Sequence, residues 1–131
     1  MKTAGSIVDT SVWVDFFKGA PAVKAFIEKM IVRDKVFTAG PILFELLQGI
    51  KSLGEKEQVK EALFSLHYLE ITSQDWEGAA LLSRELRAKG ITIPMTDLLI
   101  AQLARTRNLE VISFDLHFDQ VPELIHRKPI P

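Results

Sequence analysis

Ser6-Ile7-Val8-Asp9-Thr10-Ser11-Val12-Trp13-Val14-Asp15 is the stretch that decides the fold. Its short apolar run stops at an acid, two hydroxyl residues follow, and the pattern then turns amphipathic, which reads as a buried strand feeding a helix. Asp9 therefore sits at the carboxyl end of a strand. In open α/β sheets that edge is where ligands bind, because the loops leave a crevice there and the following helices point their amino ends into it. Other acids at comparable junctions are Glu45, Asp97 and Asp115, with Asp119 close behind the last.

Beyond this stretch the chain alternates. Asp15-Phe16-Phe17-Lys18-Gly19 makes a turn, and Pro21 opens a helix to about Arg33 with Val23, Phe26, Ile27, Met30 and Ile31 on one face. Val36 and Phe37 form a second strand. Gly40-Pro41 opens another helix, in which Ile42, Leu43, Leu46, Leu47, Ile50 and Leu53 make a broad apolar stripe and Glu45 falls just off its edge. Gly54 breaks that helix, and a further one runs from Glu55 to about His67 with Val59, Leu63 and Leu66 inward. Tyr68 to Ile71 alternates as a third strand. Thr72 or Ser73 caps a long helix to Lys89, ended by Gly90, with Trp76, Ala79, Ala80 and Leu86 on its buried side. Thr96 reads as the amino cap of a helix to Asn108, with Asp97 in its first turn, and Glu110 to Ser113 is a fourth strand ending at Phe114-Asp115. This alternation implies an α/β fold whose central parallel sheet is covered on both faces.

The 131 residues, 47% of them apolar, suit one domain with its own core, and no repeat, low-complexity tract or linker divides them. Residues 1–131 are read as a single domain. Sixteen Lys and Arg against seventeen Asp and Glu give a net charge of -1, which excludes a whole-protein field driving unspecific binding to nucleic acid. A polyanion must be held locally or through a cation. The absence of cysteine excludes disulfides and thiolate metal sites and suits a reducing compartment. The apolar amino-terminal stretch is interrupted by Asp9 and Asp15, unlike a signal peptide, and no apolar run approaches the roughly eighteen residues that span a bilayer. The expectation is a soluble, cytoplasmic protein with no membrane partner.

Each acid alone has a structural explanation. Asp9 could bond its own turn, Asp97 could complement a helix amino end, Asp115 could start the turn at Leu116, and Glu45 could be a solvated helix residue. Together they say more, because strand ends and helix starts of a parallel sheet share one edge. Several carboxylates in one crevice repel unless a divalent cation neutralises them. All-oxygen ligands favour a hard ion, Mg²⁺ or Mn²⁺, which keeps positions open for phosphate oxygens and for a nucleophilic water. That chemistry is phosphodiester hydrolysis. His67, His117 and His126 lack metal-pair spacing, and only His117, beside the acids, is a candidate for substrate contact. No Gly-x-Ser-x-Gly elbow, Walker loop or Gly-x-Gly-x-x-Gly fingerprint occurs, and Trp13 and Trp76 read as packing residues.

At these residues the chain resembles the PIN-domain ribonucleases, and in particular the VapC-type toxins of toxin-antitoxin pairs. The matching stretches are Val8-Asp9-Thr10-Ser11-Val12-Trp13, Ile42-Leu43-Phe44-Glu45-Leu46, Thr96-Asp97-Leu98-Leu99-Ile100-Ala101 and Ser113-Phe114-Asp115-Leu116-His117-Phe118, which span nearly the whole chain in family order. The resemblance implies a three-layer α/β/α fold and an acidic Mg²⁺ or Mn²⁺ site on Asp9, Glu45, Asp97 and Asp115. Thr10 or Ser11 would be a hydroxyl neighbour of the metal, with Thr96, Ser113 and His117 around it. Ser113 stands where many members have threonine. Asp119 corresponds to a further acid that some members use, although beyond His117-Phe118 it could equally face solvent.

The function so implied is a metal-dependent endoribonuclease toxin that cuts RNA, forms a homodimer and is inhibited by a cognate antitoxin lying across a groove near the site. The apolar stripes of the helices at 21–33 and 41–53 place such a groove between them. Two alternatives belong to other classes. A phosphatase with Asp9 as nucleophile would want an acid two positions on, where Ser11 stands, and a non-catalytic binding module could keep the acids as scaffold.

Overall fold

A computed structural model describes residues 3–130. Five strands, β1 (Gly5–Val8), β2 (Val36–Ala39), β3 (His67–Leu69), β4 (Leu109–Ile112) and β5 (His126–Arg127), form one parallel sheet in the order β3-β2-β1-β4-β5. Between them lie α1 (Thr10–Phe17), α2 (Pro21–Val32), α3 (Gly40–Gln48), α4 (Leu53–Phe64), α5 (Ser73–Ala88) and α6 (Met95–Arg107), and a 3-10 helix, Leu116–Gln120, follows β4. β1 is buried along its length, as its apolar run requires at the centre of the sheet. It pairs with β4 over Gly5↔Leu109 to Val8↔Ile112 and with β2 at Ser6↔Val36 and Ile7↔Phe37. Gly5 lets these strands approach, because a Cβ there would stand 2.7 Å from the Lys35 carbonyl oxygen.

The strand order dictates where the site forms. From β1 the chain winds outward through β2 to β3, then returns past β1 to β4 and continues outward to β5. Right-handed crossovers in opposite directions put α1 to α4 on one face and α5 and α6 on the other, so the three expected layers follow from topology. Loops leaving β1 and β4 diverge, and the gap between them is the crevice at the carboxyl edge. Beneath it Ile7, Val8, Val12, Trp13, Ile42, Ile100, Leu103, Ile112 and Phe118 are buried in one core.

Several element boundaries differ from expectation for identifiable reasons. α1 continues through Phe17 instead of turning at Asp15, because Trp13, Phe16 and Phe17 pack on one another with ring centroids 5.1 to 5.8 Å apart, and Gly19 at φ +80° makes the turn. α3 stops at Gln48, well short of Leu53. Gly54 lies within the first turn of α4, whose amino cap is Ser52, its Oγ accepting from the Glu55 amide at 3.1 Å. α4 ends at Phe64 and β3 begins at His67, so His67 belongs to the strand and not to the helix that the pattern predicts through it. Thr96 is not the amino cap of α6. Pro94 occupies that place, so Thr96 is the second helical residue and its hydroxyl is released for a partner elsewhere.

Trp76 and Ala80 are exposed, Trp76 by 47%, and the buried side of α5 is Asp75, Ala79, Leu82 and Leu86. The Asp75 carboxylate completes a capping box with Thr72 and receives both terminal nitrogens of Arg107, at 2.9 and 3.0 Å, tying the start of α5 to the end of α6. α1 packs on both α2 and α3. A groove of about 270 Å³ opens among α1, α3 and α4, lined by Val14, Phe17, Leu46, Ile50 and Val59 together with Lys18, Lys51, Glu55 and Gln58. The described residues contain no helix long and apolar enough to cross a membrane.

Candidate active site

Asp9 is the first residue after β1 and holds the amino-cap position of α1, yet its carboxylate makes no capping bond to that helix. Its Oδ2 instead accepts from Ser113 Oγ at 2.7 Å and from Ser11 Oγ at 3.2 Å. Ser113 follows β4 directly and is fully buried, and its Oγ also accepts from the Asp115 amide at 2.9 Å. One hydroxyl therefore fixes the end of β1 and the turn that carries Asp115. Ser11 Oγ, 3.3 Å from Ser113 Oγ, accepts from the Phe114 amide and closes the same junction.

Glu45 reaches the crevice from the second turn of α3. Thr10 Oγ1 donates to its Oε1 at 2.8 Å and Thr96 Oγ1 to its Oε2 at 3.4 Å, so both carboxylate oxygens are held by hydroxyls at the amino ends of α1 and α6. Asp97, in the first turn of α6 and 8% exposed, makes no capping bond either. Asp115 does cap its own turn, with Oδ1 accepting from the His117 amide at 2.9 Å. The His117 ring closes the group, with Nδ1 3.3 Å from Asp97 Oδ2 and 3.2 Å from Asp115 Oδ1. Ligand atoms of Asp97, Asp115 and His117 all lie within 4.8 Å of one another.

The electrostatics of Asp97 bring the four acids together in one site. Its carboxyl is raised to about 6, first by burial and then by the Asp9 charge, with the His117 hydrogen bond opposing and the Asp115 and Glu45 charges adding to the rise. A carboxyl that resists ionising among three other carboxylates is what a divalent cation relieves, and the donor set suits a hard ion completing its shell with water. The residues present thus fit a divalent cation.

Asp119 stands apart from this cluster. Its Oδ1 lies 2.7 Å from Nδ1 of His126, whose Nε2 donates to the Ser113 carbonyl oxygen at 2.9 Å. Sequence reasoning had no use for His126, because it sits on a two-residue strand without periodicity. Asp75 was likewise passed over, although Thr72-x-x-Asp75 is a readable capping signature.

These features define a small parallel α/β domain with a carboxylate cluster at the switch point of its sheet. The chain belongs to the PIN domain family, which matches residues 6–124. Among solved structures, DNA-bound VapBC from Salmonella typhimurium is similar at 23% identity with a TM-score of 0.83, covering 98% of this chain and 99% of that one. VapBC-5 of Mycobacterium tuberculosis, a member of the VapBC family of toxin-antitoxin systems, is 25% identical with a TM-score of 0.68, covering 95% and 98%. Mycobacterium tuberculosis VapC20, a sarcin-ricin loop cleaving toxin, is 16% identical with a TM-score of 0.69, covering 92% and 98%. No curated protein matches the chain.

Proposed function

We propose that this chain is a divalent-metal-dependent endoribonuclease, the toxin of a type II toxin-antitoxin pair, built as one PIN domain over residues 1–131. The observation that carries this reading is the convergence of Asp9, Glu45, Asp97 and Asp115 on one crevice, with the Asp97 carboxyl raised by burial and by the charges of the other three acids. These four acids would hold Mg²⁺ or Mn²⁺, and Asp115 also caps its own turn through Oδ1. When bound, the ion supplies positive charge to the phosphate and lowers the pKa of a water that serves as nucleophile.

The chain's own residues position and exclude. Ser113 and Ser11 keep the Asp9 carboxylate turned into the crevice, while Thr10 and Thr96 hold Glu45. The amino end of α6 points backbone N–H groups at an incoming phosphate. His117, whose side chain is 44% exposed, lies at the mouth between two acids and contacts the substrate as the strand enters. Net charge gives no general affinity for RNA, so binding depends on this site and the shape of its rim.

VapBC complexes among the structural neighbours support an antitoxin partner. We place its apolar segment in the groove of Val14, Phe17, Leu46, Ile50 and Val59, with the toxin acting as a cytoplasmic homodimer. The phosphatase alternative lacks its second acid, since Ser11 stands there and gives its hydroxyl to Asp9. The test is cleavage of RNA by the pure protein with Mg²⁺ or Mn²⁺ and after chelation. Cleavage that stops in EDTA and returns with added metal is expected. Undiminished cleavage in EDTA would overturn the metal mechanism, and a protein that binds metal yet cuts no RNA would be a binding module.

A further inference from the structure

Outside the acid cluster, the most ordered polar arrangement near the site is the line Asp119, His126 and Ser113. The His126 side chain is 4% exposed although it belongs to an edge strand. β5 joins β4 through only two residue pairs, Val111↔His126 and Ile112↔Arg127, and the Arg127 carbonyl accepts from the Ser113 amide at 3.1 Å. The Ser113 carbonyl lies past the end of this ladder. His126 Nε2 meets it at 2.9 Å, where a backbone donor of a longer strand would stand. A carbonyl only accepts, so Nε2 carries the hydrogen. Asp119 Oδ1, 2.7 Å from Nδ1, fixes the ring's rotation. Phe118, fully buried, packs against the same ring at a centroid distance of 5.7 Å.

We propose that His126 and Asp119 are positioning residues for the metal site, acting through Ser113. With its carbonyl held by His126, Ser113 keeps its hydroxyl aimed at Asp9 Oδ2 and at the Asp115 amide, so two of the four acids depend on one ring that touches neither. Asp119 thereby works as the outer anchor of this line. The inference rests on the metal-site reading above but not on RNA being the substrate.

Its test is Mn²⁺ affinity, measured by calorimetry on the full chain without RNA, alongside melting temperature. His126→Ala is expected to weaken Mn²⁺ binding about 10- to 100-fold, the usual effect of losing a group that orients metal ligands. His126→Gln, whose amide can still donate to the Ser113 carbonyl, is expected to recover most of that loss, and Asp119→Asn to fall between. Wild-type Mn²⁺ affinity in folded His126→Ala overturns the proposal, as does an equal loss in the Gln and Ala variants, which would mark a packing role. If His126→Ala does not fold, Asp119→Asn decides, and unchanged affinity there overturns it. Wild-type protein that binds Mn²⁺ but cuts no RNA removes the nuclease reading and leaves this one standing.

Discussion

The Ser113 hydroxyl donates to Asp9 Oδ2 at 2.7 Å, joining two strand ends that are 104 positions apart in the chain and adjacent in the sheet. Removing it leaves a buried carboxylate one partner short. Ser113→Ala is expected to lose about 1 to 3 kcal/mol of stability, the cost of an unmade bond to a buried charged group. RNA cleavage should fall with it. Ser113→Thr retains the hydroxyl and should stay near wild type in melting temperature and rate. An alanine variant equal to wild type in both measurements would show that Asp9 needs no such partner.

Substituting the acids should separate site from scaffold. Asp9→Asn, Asp97→Asn and Asp115→Asn are each expected to lower RNA cleavage by orders of magnitude with far-ultraviolet circular dichroism unchanged, because they line a crevice above the core. Glu45→Gln should also be damaging, although Thr10 and Thr96 can still bond the amide oxygen. Any variant that keeps the wild-type rate and metal requirement removes that residue from the site.

Asp97 makes a pH prediction with a definite sign. Its folded carboxyl at about 6 lies above the ordinary value of 3.8, so the metal-free folded state holds a proton that the unfolded chain has released. Stability in EDTA should therefore fall as pH rises from about 4 to about 6, by roughly 2 kcal/mol once solvent access to the crevice is allowed for. Asp97→Asn should flatten this dependence and melt at or above the wild type in EDTA at pH 7.5. Its lost charge at the amino end of α6 costs only about 0.3 to 1 kcal/mol. In millimolar Mg²⁺ the wild type should gain more than the variant. A variant clearly destabilised in EDTA, with Mg²⁺ shifting both proteins equally, would reduce Asp97 to a helix-end charge.

Asp75 behaves oppositely. Arg107 chiefly holds its carboxyl down to about 2, so its contribution is complete above about pH 4 and disappears as pH falls toward 2. Arg107→Met should cost about 3 kcal/mol at pH 7, in line with breaking a largely buried pair from one side. The loss should shrink in acid as Asp75 protonates. A deficit that does not change between pH 7 and pH 2.5 would assign the effect to lost packing of the arginine stem.

Asp9, Asp97 and Asp115 were legible as neighbours because an apolar strand that ends at an acid, or a helix that begins with one, states its own edge in a parallel sheet. The topology that puts Asp9 beside Ser113 is carried by strand pairing between distant segments, which no local pattern records. Trp76 shows the limit of periodicity. Its place in the amphipathic pattern of α5 suited burial, but Asp75 takes the inward direction one position earlier, since Arg107 and Thr72 satisfy its carboxylate. Thr96 has a cap residue's chemistry, whereas Pro94, which holds the cap position, has no side-chain acceptor and so carries no sequence signal for it. His126 had no signal at all, for two residues cannot display a strand's alternation.

The central position of β1 between β2 and β4 has a consequence for the order of events during synthesis. β1 and β2 can pair once the first forty residues are free, but the β1 edge that will face β4 stays open until the region around Leu109 has been made. Until then Asp9 has neither Ser113 nor Asp115 beside it. A nascent chain therefore carries Asp9 without a completed crevice until the residues around Leu109 emerge, and the site assembles only after a long-range closure between β1 and β4.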